Sequence, residues 1–100
     1  MRRGTTPTHT FTLGFSVELI AALRITYTQN GRTIMTKTEQ DVDASNQEIS
    51  VRLTQEETLM FSDKSNVEIQ LKILSTSGDV LASPVYTVHP LRIIDEEVLQ

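Results

Sequence analysis

Apolar and polar residues alternate along this chain in short runs, the longest being Val67, Ile69, Leu71 and Ile73 set against Glu68, Gln70 and Lys72. A period of two puts successive side chains on opposite faces, so this run predicts a central β-strand with one dry and one wet face. His9 to Phe15 follows the same rule, with Phe11, Leu13 and Phe15 on one side and Thr10, Thr12 and Gly14 on the other. Ile49, Val51 and Leu53 against Glu48, Ser50 and Arg52 give a further strand. The stretch Leu23 to Glu39 reads as a hairpin about Asn30-Gly31, because both positions of a type I′ turn need positive φ and these two residues tolerate it. With a two-residue loop, Gln29 faces Arg32 and the buried face carries Tyr27 with Ile34, Ile25 with Thr36 and Leu23 with Thr38. The outward face then carries Thr28 with Thr33, Thr26 with Met35 and Arg24 with Lys37. A lone hairpin is marginal in water, so it requires the other strands as partners.

The breaks between runs complete the pattern. Ser16 to Ile20 reads as one helical turn capped by Ser16 or as a crossover loop leading into the hairpin, the short turn being favoured. Gln40 to Gln47 is acidic and turn-rich and reads as a loop. Thr54 followed three residues later by Glu57 is a capping-box signature, predicting a short helix over Gln55 to Phe61 with Glu56 and Glu57 at the positive end of its dipole. Val80 to Val88 is a returning strand, but Pro84 removes a backbone donor, so this strand is broken, bulged or at an edge. The chain divides into a flexible polar tail over residues 1–8, a β-sandwich over 9–90, and a segment 91–100 that is a strand, a helix or a tail ordered against a partner. Short strands separated by turns roughly every 8–12 residues predict an all-β, immunoglobulin-like antiparallel sandwich of about seven strands with one short helix. The paired cysteines and buried tryptophan of antibody domains are missing.

Composition narrows the chemistry. One hundred residues suit one domain, and without cysteine neither a disulfide nor a Cys-based zinc site can form. A formal charge of −4, from 13 acidic and 9 basic residues, argues against a protein that coats nucleic-acid phosphates. No apolar run follows Arg2-Arg3, so neither a secretory nor a twin-arginine signal is expected. The apolar stretch around Val17 to Leu23 contains Glu18 and falls well short of the roughly 20 residues of a spanning helix, so no membrane association is expected.

Candidate reactive groups reduce to structural ones. His9 and His89 lack a metal-ligand spacing and read as ordinary strand-end residues. Asp41 to Ser45 resembles the first half of a calcium loop, but Asn46 stands where the turn glycine belongs and Arg52 where the bidentate glutamate belongs. Glu56 and Glu57 are adjacent, so on a helix they point about 100° apart, and the capping role accounts for Glu57. No nucleophile motif or phosphate loop is present, so no enzyme activity, cofactor or metal is expected. Arg24 and Lys37, like charges facing each other, need an answering group: a carboxylate such as Glu68 or Glu48, solvent, or an acidic patch on another protein. Together with Met35, Leu74, Ile93 and Ile94, they are the candidate interface residues; a helix lying over the same face would account equally for the apolar members.

The opening THTFTL, the hairpin RITYTQNGRTIMTKT, the join ISVRLTQEETLMF and the strand VEIQLKILSTSGDVLAS together resemble a group of small proteins from phages and prophages of Gram-positive bacteria. They are also similar to the immunoglobulin-like N-terminal domain of phage baseplate upper proteins, where a strand runs into a short Glu-rich helix and then into a long Val-x-Ile-Gln strand. The resemblance spans about residues 8 to 90. It implies a virion component, assembled in the host cytoplasm and without catalytic residues. The expected function is a non-enzymatic structural or adaptor protein of tail or baseplate that contacts other virion proteins, with self-association left open. The alternative is a small phage-encoded binding module or inhibitor of a host protein.

Overall fold

The computed structural model describes residues 1–100 as two antiparallel sheets packed face to face with one short helix. The smaller sheet has the order β1-β5-β4, built from β1 (Thr8–Thr12), β4 (Asp43–Ser45) and β5 (Glu48–Arg52). The larger has β2 (Ile20–Gln29) and β6 (Val67–Ser75) at its centre, with β3 (Arg32–Thr38) on one edge. On the other edge, β7 (Val80–Ala82) and β8 (Tyr86–Val88) both pair with β6. The chain changes sheet between β1 and β2, between β3 and β4, and between β5 and β6, which gives the expected all-β antiparallel sandwich.

The alternating runs set the core. Val67, Ile69, Leu71 and Ile73 of β6 and Leu23, Ile25 and Tyr27 of β2 are all buried, facing Phe11, Ile49 and Val51 from the smaller sheet. The helix α1 (Gln55–Leu59) closes one end, where Leu53 and Phe61 are buried and the rings of Tyr27 and Phe61 lie 6.0 Å apart. Thr54 caps it: its side chain accepts from Glu57 N while Glu57 Oε1 accepts from Thr54 N, the predicted reciprocal pair. The turn before β2 is a 3-10 turn, Val17–Leu19, with the Ser16 side chain accepting from Glu18 N. No helix is long and apolar enough to cross a membrane.

Three features depart from the sequence reading, and the broken return strand expected at Pro84 stands beside them. First, the Asn30-Gly31 turn forms with φ of 56° and 73°, but the hairpin carries a bulge beyond it. Thr28 pairs with Thr33 as expected, then Tyr27 pairs with Met35 and Ile25 with Lys37, leaving Ile34 as the extra residue. On a regular strand Ile34 and Met35 would face opposite ways; the bulge lets both lie half-buried against the core. The expected pairings of Arg24 with Lys37 and Thr26 with Met35 are therefore replaced, and Thr36 and Thr38 face solvent. Second, β4 forms inside the stretch read as a loop, where Asp43 to Ser45 pair with Ser50 to Glu48. The expected break is the one between β7 and β8, one strand interrupted at Ser83 to Val85: the register against β6 slips by a residue across Pro84, and Ser83 fills the gap by receiving Leu71 N–H on its hydroxyl and donating its own N–H to Leu71 O. Counted as one, they bring the sandwich to the expected strand number. Third, the N-terminal residues are laid against the C-terminal segment. Arg2 bridges Leu91, Arg3 N donates to Leu91 O, and Leu91 N donates to Met1 O.

Candidate interaction surface

Both histidines, Tyr27 and Asp41 are engaged in holding the fold. His9 on β1 points into the sandwich and its Nδ1 lies 2.8 Å from the Tyr27 hydroxyl. Burial, with the Met1 amine adding to it, holds the His9 pKa below its ordinary value. Burial and the neighbouring Glu57 carboxylate push the Tyr27 phenol well above its usual range. His89 is bonded instead to Asn66, at 2.9 Å. The Asp41 carboxylate accepts from Thr38 N at 2.9 Å and closes the turn after β3; this bond holds its pKa low. No group of three or more His, Asp or Glu side chains is placed to hold a metal ion.

The bulge decides the fate of the hairpin candidates. Lys37 faces inward and forms an ion pair with Glu57, so the carboxylate that answers it is neither Glu68 nor Glu48 but the helix-capping residue. Burial alone would raise the Glu57 carboxyl; the Lys37 ammonium and the Thr54 N–H outweigh it and hold the pKa below its ordinary value. Met35 is half-buried beside Tyr27. The outward placement that made Lys37 and Met35 interface candidates is thus corrected.

The other four candidates occupy two separate regions. Arg24 is exposed on the outer face of the larger sheet, where its neighbours are Thr38 on β3 and Lys72 on β6. A like-charge pair does exist there, but its second member is Lys72. Leu74 lies on the same face between Ala22 and Val80, 40% exposed. Ile93 and Ile94 lie at the α1 end: Ile93 packs against Gly4, whose added Cβ would approach Ile93 Cδ1 to 3.1 Å, whereas Ile94 is 93% exposed.

The sequence reading missed the edge formed by β7 and β8. Val80, Leu81, Val85 and Tyr86 are all about half exposed, and Leu19 and Leu74 adjoin the Val80 end. Leu81 and Tyr86 pair with the inward residues Ile73 and Ile69, and the Tyr86 ring meets Phe11 edge-on at 5.7 Å, so apolar surface continues from the core out to this edge. Main-chain groups are also free. Ser75 N bonds Asp79 O and Ser83 N bonds Leu71 O; by antiparallel alternation the N–H and C=O of Val80 and Ala82 point away from the sheet. The signal available in sequence was the complete lack of charge from Val80 to Val88, since exposed edges ordinarily carry Lys, Glu or an inward charge. Pro84 is the one blunting device present.

No family model, curated protein or solved structure matches the chain.

Proposed function

We propose that this chain is a non-enzymatic structural or adaptor component of a phage particle, associated with tail or baseplate, that works by gripping another virion protein. The observation that supports this reading is the charge-free apolar edge of β7 and β8, backed by unpaired main-chain groups at Val80 and Ala82. Such an edge offers hydrogen bonds to an added strand and apolar area beside it, which is how β-strand addition combines affinity with selectivity. The virion as the setting of that grip is what the resemblance of the hairpin and of the strand-to-helix join to phage baseplate domains implies. A host-directed inhibitor would use the same edge, so particles discriminate between the two readings. Mass spectrometry of purified particles should find the chain at stoichiometric level, and Val80→Lys with Tyr86→Lys should prevent its incorporation while the purified variant stays folded by circular dichroism. A chain expressed during infection yet missing from particles would refute the virion role.

A further inference from the structure

The outer face of the larger sheet carries an unanswered charge. Arg24 and Lys72 stand directly opposite each other on β2 and β6, an arrangement that costs stability unless something acidic meets it. The two ion pairs of the chain, Arg3 with Glu96 and Lys37 with Glu57, leave both cations without a carboxylate within 4.0 Å. Glu39 is at the rim of the same groove, but its Oε2 is turned to Leu23 N, and Glu68 lies a further four residues along β6 from Lys72. Beside the pair runs an apolar ledge of Leu74 and Val80, and together they line a groove of about 360 Å³. A basic pair next to an apolar ledge is shaped for a segment that is acidic and apolar by turns.

The chain itself contains such a segment. Ile94-Asp95-Glu96-Glu97-Val98-Leu99 places three carboxylates between apolar residues, and Ile94 and Leu99 are 93% and 77% exposed. Its main chain is nevertheless held. Gln55 bonds Leu99 N and Leu99 O, both at 2.9 Å, and Arg3 pairs with Glu96, so Asp95, Glu97 and the two apolar side chains are presented outward on a fixed backbone. Presentation of this kind lowers the ordering cost of binding. The segment sits at the α1 end, near the start of β6, whereas Lys72 and Leu74 lie five and seven residues further along that strand, roughly 16–23 Å at 3.3 Å per residue. It is pinned away from its own groove.

We infer that the acidic C-terminal segment of one copy docks on the Arg24–Lys72 groove of a second copy. This rests on the reading of the chain as an assembly component and names one of its partners as itself. Because face and tail lie at different ends of a body 47 × 30 × 17 Å, the contact joins unlike surfaces and builds a ring or a filament.

Light scattering after size exclusion, on the full chain, tests this. The mass should exceed that of the monomer at about 0.01 M salt, where charges act over about 30 Å, and fall to the monomer at about 1 M, where they act over about 3 Å. Arg24→Glu with Lys72→Glu should weaken association by roughly tenfold or more, and Asp95→Lys with Glu97→Lys should do the same. An equimolar mixture of the two variants should associate again, because each reversed face then meets a reversed tail. A monomer under all conditions, association indifferent to either reversal, or failure of the mixture to recover would overturn the inference. Loss with the face variant alone would assign the groove to some other acidic segment and equally overturn it. None of these results bears on whether the chain is found in particles, which the proteomic test reads separately.

Discussion

Gln29 ends β2 with its side chain only 5% exposed, an unusual place for an amide, and it holds the connection between α1 and β6. Its Nε2 donates to Ser62 O at 2.7 Å and Ser65 O at 2.8 Å, while its Oε1 accepts from Ser62 N at 2.9 Å. Gln29→Leu keeps most of the volume and removes all three bonds. Each neutral hydrogen bond contributes about 1 kcal/mol net, and groups left without water cost more, so the loss should be about 2–4 kcal/mol. For a domain whose whole stability is about 5–15 kcal/mol, that is a large share. It corresponds to a melting shift of roughly 10–20 °C at this size. Urea denaturation followed by circular dichroism measures it, with an unchanged slope showing that the native and unfolded states expose the usual difference in surface. Gln29→Glu sharpens the test. At neutral pH it sets a carboxylate against two carbonyls and should cost more than Leu, then recover part of the loss in acid as the protonated carboxyl regains a donor. A loss under about 0.5 kcal/mol for Gln29→Leu would mean that water replaces the amide at no cost, and the argument from burial would fail.

Further outcomes follow from the inward turn of Lys37 and from the titrating groups. Lys37→Glu should destabilise the chain by about 1–3 kcal/mol in urea, because it breaks a half-buried charged hydrogen bond and sets two carboxylates together; a neutral or stabilising result would return Lys37 to the outer face. The lowered Glu57 pKa means that its contribution is complete above its ordinary value near 4.5 and is lost as pH falls through the lower folded value; Glu57→Gln should flatten that acid limb of a stability–pH curve. His9 is also depressed, so it contributes fully above about 6.5 and loses that contribution as pH falls; a proton NMR titration should show its ring titrating below 6.5, and an ordinary or raised midpoint would refute the buried geometry.

Much of the scaffold is legible in the linear order of residues because the rules that fix it act over a few positions. Alternation with period two identifies the inner faces of β2, β5 and β6; Asn30-Gly31 identifies the turn, and Thr54 with Glu57 the start of α1. Pro84 marks the interruption that appears as the slip between β7 and β8. These are local choices made by sterics and by one or two hydrogen bonds, and the sandwich follows from adding them.

The surface is another matter. Whether Lys37 or Thr38 faces Arg24 across the hairpin depends on a single bulged residue, Ile34, and a one-residue slip exchanges every later side chain of a strand between core and solvent. That bulge is favoured by groups distant in sequence: Ile34 and Met35 both gain contact with the core, and Lys37 finds Glu57, twenty residues away. The pairing of β4 with β5, the clasp of Arg2 and Arg3 on the C-terminal segment, and the exposure of Val80 and Tyr86 likewise come from contacts between separate segments. The order of residues determined by itself that this is a two-faced β scaffold, since period, turn and cap are properties of neighbours. Which charges remain unpaired and which edge stays bare were decided only by the tertiary structure, because both depend on register, and register is set by burial summed over the whole sheet.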